Sequence, residues 1–229
     1  MMLTLVIAGE AIFFLPFVLP RIFRPTMLEV FGWTNWQLGV AFSAYGVVAM
    51  LAYLPSGPLA DRFPAGTMMA VALVVTAIGG LTLIGFHDAV QLPWLYGFWG
   101  VSTILLFWSA LIRATRLWGG QAMPGRAFGW LDGGRGLIAA LVATSSVALF
   151  AVLMPSDVES ASPDEKQAAL IRIIVFFAIA TAFAGVWVKW VFRNPWTEVA
   201  SGTQWQVADL KTVLRMPAVW CQGLVVVCA

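Results

Sequence analysis

Charge is scarce in this sequence. Charged residues make up 10% of its 229 residues, where a soluble domain carries about 25%. There is one histidine, His87, and there are two cysteines, Cys221 and Cys228. So few of these residues leave no metal-spaced cluster and no disulfide framework. The cysteines stand seven apart in a helical pattern, on one face, and are expected as packing residues. His87 falls in a short loop and is given no role. There is no basic tract and no phosphate loop, so neither nucleic acid nor a cofactor is expected. The start of the chain has no basic lead and no small-residue cleavage site, and Glu10 interrupts its apolar run, so it does not read as a signal peptide. What the chain has in abundance is apolar surface. Hydrophobic residues make up 61% of it, with a mean hydropathy of +0.88. It is a membrane protein, and one partner is the lipid bilayer.

Six apolar runs are long enough to cross a bilayer, which takes about 20 residues. They cover 1–20, 35–56, 68–85, 93–112, 129–154 and 168–192. Pro16 and Pro20 are expected to kink or end the first. A loop carrying Arg21, Arg24, Trp33 and Trp36 leads to the second, with the tryptophans at the interface. The most polar stretch is 155–167, with Asp157, Glu159, Asp164 and Glu165. Residues 193–216 read as a polar connector, of which 204–215 has the pattern of an amphipathic surface helix. Residues 217–229 begin a seventh apolar segment that runs too short to span. Arg62, Arg113, Arg116, Arg126, Lys189, Arg193, Lys211 and Arg215 gather on one side. Arg21, Arg24, Lys166 and Arg172 lie on the other. The richer side is expected to be cytoplasmic, together with the N-terminus.

Between the second and third runs lies Gly57-Pro-Leu-Ala-Asp-Arg-Phe-Pro-Ala-Gly-Thr67. Gly57 and Pro58 are expected to break one helix, and Pro64 and Gly66 to turn the chain before the next. Such a turn has to sit at the membrane surface, because its backbone groups find no partners in hydrocarbon. Gly57-x-Leu59-Ala60-Asp61-Arg62 resembles the loop between the second and third helices of the major facilitator superfamily. The later part of that pattern is replaced here by Phe63-Pro64-Ala65-Gly66, and its trailing basic residues are missing. Trp118 and Gly125-Arg126-Ala127-Phe128-Gly129 are similar to the segment entering the family's fifth helix. With Leu131-Asp132-Gly133-Gly134-Arg135-Gly136 following, the stretch resembles bacterial permeases related to sugar-phosphate and organic-anion carriers.

The resemblance covers essentially the whole chain. It implies an all-α membrane fold: six helices of an N-terminal half in residues 1–192, arranged as inverted repeats of three, then the 193–216 connector and the start of a seventh helix in 217–229. Arg21-x-x-Arg24 and Arg113-x-x-Arg116 form a weak internal echo of that repeat. Two family features are absent. Gly100-Val101-Ser102 stand where the fourth helix would carry an Arg, and the fifth lacks the antiporter-type Gly-Pro-x-x-Gly-Gly. Proton antiport therefore loses weight.

Several residues are candidates for function. Glu10 lies near the middle of the first run, about 15 Å of helix rise from either end. An acidic side chain there is costly unless paired, which makes it a candidate for proton coupling or substrate binding. The alternative is an interfacial Glu in a helix that starts later. Asp132 and Arg135 are three apart and can pair on one helix face. Arg135, Arg21 and Arg24 are candidate contacts for an anionic solute, although Arg135 at the inner end of its run can also snorkel to the interface. Gly39, Ser43 and Gly46 share one face of the second run, and Gly129, Gly133 and Gly136 one face of the fifth. Small-residue faces let helix backbones approach. They serve either packing inside the bundle or, as the resemblance implies, sliding against a C-terminal half. By resemblance, Gly57, Leu59, Asp61 and Arg62 form a gating loop.

The function these features imply is secondary transport of a small polar or anionic solute by alternating access, as symport or uniport, in a bacterial inner membrane. The missing partner is a C-terminal six-helix half. A non-transporting structural membrane protein is the alternative. A membrane enzyme is a weaker one, since no nucleophile-base pair or acid pair is evident.

Overall fold

The structure is a computed structural model that describes residues 1–85, 88–120, 123–154, 162–193, 215–218 and 221. His87, Asp157, Glu159, Lys211, Cys228 and most of the expected connector and seventh segment lie outside them. Residues 1–196 form one compact unit and 197–229 a second. In the second, Cys221 is exposed rather than packed.

The described residues of the first unit are helical, with no strand among them. In order they form α1 (Met2–Ala11), α2 (Leu19–Ile22), α3 (Arg24–Phe31), α4 (Asn35–Arg62), α5 (Ala65–Thr82), α6 (Leu92–Gly100), α7 (Ser109–Gly119), α8 (Pro124–Leu153) and α9 (Pro163–Val191). A π-helical stretch at Phe14–Val18 joins α1 to α2, and another at Val101–Trp108 joins α6 to α7. Among the described residues, five helical segments are long and apolar enough to cross a membrane. Counting the bent pair Met2–Ala11 and Phe14–Ile22 as one span makes six.

The bend in that first span is 44°, and Pro16 explains it. Proline has no N–H to give the carbonyl four residues back, and its ring crowds that carbonyl. That residue is Ile12, and the α-helix stops at Ala11. The neighbouring Ala11 carbonyl accepts a hydrogen bond from Thr181 Oγ1 of α9 at 3.1 Å. A helix break in hydrocarbon needs such a substitute partner.

Both α4 and α9 start on reciprocal caps. Thr34 Oγ1 accepts from the Gln37 N–H and the Gln37 side chain accepts from the Thr34 N–H. Ser162 and Glu165 repeat the arrangement. Each satisfies two donors that a helix start leaves orphaned. The expected break at Gly57-Pro58 does not occur. α4 runs through Pro55, Gly57 and Pro58 to Arg62. It stops at Phe63, which is extended (φ −115°, ψ 149°), as the residue before a proline prefers. The turn is thus Phe63-Pro64 alone. Gly66 is no turn residue: it is buried inside α5 against Phe192. The stretch expected as a loop around Arg21 and Arg24 is helical, and α8 begins at Pro124, earlier than its apolar run. Trp36 is exposed, as an interface residue would be, but Trp33 is buried and stacked on Phe31 at 4.4 Å.

Helices pack where glycine permits. Gly185 of α9 approaches the Ala70 carbonyl, Gly100 of α6 the Tyr45 carbonyl, and Gly134 of α8 the Val6 side chain of α1. A Cβ on any of them would stand 3.1 Å or closer to those atoms. Buried hydroxyls tie the helices across the core. Thr76 meets Ser102 at 2.7 Å, Tyr45 meets Thr103 at 2.8 Å, and Ser109 donates to Ser56 at 2.7 Å. The core itself is aromatic and aliphatic, with Trp99, Tyr96, Phe107 and Phe177 fully buried.

Candidate functional site

The two small-residue faces are not used inside the bundle. Among the described residues, no atom of another helix lies within 4 Å of a Cβ built on Gly39, Gly46, Gly129, Gly133 or Gly136. Ser43 is exposed, and its hydroxyl turns back to the Gly39 carbonyl at 3.0 Å. The spans that carry them are the least covered: 22% of the apolar window of α4 is buried and 6% of that of α8, against 50% or more in the spans at 65–85, 89–119 and 163–191. Gly134, off the face shared by Gly129, Gly133 and Gly136, is the glycine of α8 that does pack.

Five residues singled out in the sequence converge. Glu10, Arg21 and Arg135 line one cavity of about 440 Å³ with Asp132, Phe13 and Gly136. Glu10 does not stand alone as a mid-span charge. Its Oε2 lies 3.4 Å from Arg135 Nε, and the two side chains are 11% and 19% exposed. Arg135 reaches inward rather than snorkelling. Its Nε donates to the Gly9 carbonyl at 3.1 Å, and Nη1 lies 3.6 Å from Asp132 Oδ1. Its guanidinium sits 5.6 Å from the Phe13 ring centre and 5.3 Å from that of Trp108. Such contacts favour a cation by about 0.5–2 kcal/mol each, more when dry.

Both π-helical stretches feed this place. Phe13 is the residue before the first, and Trp108 ends the second. π-helical insertions are frequent at functional sites because they re-aim side chains. Phe13 and Trp108 are not legible in the sequence, because single aromatics in an apolar run carry no periodic signal. The aromatic wall continues through Phe17, which stacks on Phe42 at 5.7 Å and meets Tyr45 edge-on at 4.7 Å.

The remaining candidates lie elsewhere. Arg24 is not in the cavity: its Nε donates to Asn35 Oδ1 at 2.9 Å. Gly57, Leu59, Asp61 and Arg62 are in the last turns of α4. Leu59 packs on the core edge, while Asp61 and Arg62 are exposed and have no side-chain partner among the described residues. The end of α4 is held by a residue from another helix. Arg113 Nη1 of α7 donates to the Ala60 carbonyl and, at 3.4 Å, to the Phe63 carbonyl. A cation at a helix C-terminus also meets the negative end of its dipole.

A bundle of membrane-length helices, with a largely buried ion pair opening into a charged cavity and two glycine-lined spans left uncovered, defines a polytopic helical membrane protein. The chain belongs to the Major Facilitator Superfamily, whose family model matches residues 2–229. It is similar to inner membrane protein YqcE of Escherichia coli (strain K12), with 26% identity over 210 residues, 90% of this chain and 47% of that protein. It is also similar to inner membrane protein YihN of the same strain, with 29% identity over 146 residues, 64% of this chain and 34% of that protein. The chain thus spans about half the length of the curated relatives or less. No solved structure matches it significantly.

Proposed function

We propose that the chain is the N-terminal half of a secondary transporter of the bacterial inner membrane, taking a small organic anion together with a proton. In this reading 1–192 is the six-helix half, 193–216 a cytoplasmic connector and 217–229 the start of the seventh helix, with the N-terminus inside. The observation that carries it is the charge balance of the cavity. Arg21 and Arg135 face Glu10 and Asp132 there, so the four groups cancel when all are ionised. A proton on Glu10 leaves one net positive charge, which matches one anionic solute. Arg135 then has a free donor edge to offer, while Phe13 and Trp108 hold its guanidinium plane in place. Release of the proton to the other side restores the Glu10–Arg135 pair and expels the anion. This couples the two without an antiport step.

Alternating access supplies the rest. The uncovered glycine faces of α4 and α8 suit close sliding contact with a C-terminal half. Asp61 and Arg62, exposed at the end of α4, are free to pair with that half as a gate. The family is one of transporters, which favours this function over a membrane enzyme.

The test is substrate protection. Ala139→Cys, in the cavity wall, is labelled with a thiol reagent in the full-length protein while glycerol phosphate, glucose phosphate or succinate is added. At least one is expected to slow labelling, more strongly at acid pH, and Arg135→Gln is expected to abolish the protection. Protection that survives Arg135→Gln, or that none of the three gives, contradicts the anion site.

A further inference from the structure

A second cavity, of about 690 Å³, lies between α5 and α9, away from the charged one. Its walls are two helical stripes: Thr67, Val71 and Val74 on one side, Gly185, Val186 and Lys189 on the other, with Trp190 and Arg193 at its end. The groove is apolar along its length and cationic at one end only. We infer that it binds one anionic phospholipid, with an acyl chain along the valines and the phosphate against Lys189 and Arg193.

Three features fit a lipid better than a protein segment. The first is length. Thr67 to Val75 rises about 12 Å along α5, close to one leaflet's share of a hydrocarbon core about 30 Å thick, and on the other wall the helix runs from Gly185 to the end of α9 at Val191, with Arg193 just beyond it. The second is the placing of charge. Lys189 lies in the last turn of α9 and Arg193 just past its end, both at the same end of the groove, and Thr67 lies in the first turn of α5, just after the Phe63-Pro64 surface turn. Lys189 Nζ already lies 2.8 Å from Thr67 Oγ1, so an ammonium and a hydroxyl converge at headgroup level. Among the described residues the Arg193 guanidinium has no partner. The third is Trp190 beside them, 68% exposed, with the amphipathic ring that marks the headgroup layer. The floor of the groove is firm because Gly185 brings the two backbones together against Ala70. Basic pockets between membrane helices on the cytoplasmic side recognise anionic headgroups in this way. The site does not depend on which solute is carried.

The test compares lipids retained by the purified full-length protein in nanodiscs of phosphatidylglycerol and phosphatidylcholine with identical chains, read by native mass spectrometry. The wild type is expected to retain phosphatidylglycerol preferentially, by roughly fivefold for each of the two cations. Lys189→Gln with Arg193→Gln is expected to remove the preference and leave helix content unchanged. Val71→Trp fills the groove without altering charge and is expected to lower retention of both lipids. Lys166→Gln, at the other end of α9, removes a cation paired with Glu29 at 2.6 Å; as the control it is expected to leave the lipid preference unchanged. Equal retention of the two lipids by the wild type, an unchanged preference in the double variant, or a second copy of the chain docked on this face overturns the inference.

Discussion

Arg135→Gln is the perturbation that the structure makes most quantitative. It removes the cation 3.4 Å from Glu10 Oε2, the donor to the Gly9 carbonyl at 3.1 Å, and the charge lying against Phe13 and Trp108. Removing one partner of a buried pair costs about 3–5 kcal/mol, mainly because the other charge is left behind. Here both side chains keep some exposure to a cavity, which lowers the expected loss to about 2–3 kcal/mol. Glu10→Gln strands Arg135 less severely, since Asp132 remains beside it, and is expected to cost about 1–2 kcal/mol. With both replaced, two neutral amides face each other and nothing charged is stranded. The double variant should therefore be no less stable than Arg135→Gln alone. The coupling energy from the cycle should be about 1–3 kcal/mol, within the range for contacting residues. The assay is reversible denaturation in mixed micelles of the wild type, both singles and the double. Additivity within about 0.5 kcal/mol would refute the pair as a coupled unit.

Three other outcomes are expected. Gly134→Ala puts a Cβ 2.8 Å from Val6 Cγ1 and should destabilise by about 1–3 kcal/mol, whereas Gly133→Ala meets open space and should stay within about 0.5 kcal/mol; equal losses in thermal unfolding would contradict the assignment of the two faces. Single cysteines at Asp61 and Arg126 should resist an impermeant thiol reagent in intact cells while those at Asp88 and Asp164 react, and the opposite pattern would invert the orientation. Glu10→Gln in the full-length protein should insert normally and lose accumulation driven by a proton gradient, and unchanged uptake across pH would remove Glu10 from coupling.

Much of this molecule was legible in its sequence because lipid is a demanding solvent. Each span has to satisfy its own backbone, so apolar length gave the helices directly. Pro16 gave the bend for the same reason. What was not legible depended on neighbours. Pro58 looked like a helix breaker, yet α4 continues past it and is held at its end by Arg113, a residue 50 positions from Phe63. Spacing alone cannot show such a partner. Gly133 and Gly134 are adjacent in sequence and point to different surroundings, so small size predicted close approach without saying which glycine makes it. Glu10 announced itself by its cost in hydrocarbon, but its partner was hidden 125 residues away. In sequence Arg135 stands near the inner end of the 129–154 run, next to Asp132, where it can snorkel to the interface. The helix starts at Pro124, which carries Arg135 about 16 Å along it and into reach of Glu10. Phe13 and Trp108 depend on two π-helical stretches that no periodicity announces.

The most direct test of the central claim is solute flux in proteoliposomes, comparing this chain alone, the full-length protein and full-length Arg135→Gln under an imposed proton gradient. The account predicts saturable, proton-dependent uptake of a small organic anion by the full-length protein only, and recovery of uptake when this chain is co-expressed with its C-terminal half. Saturable flux from this chain alone, or undiminished flux in Arg135→Gln, would contradict it.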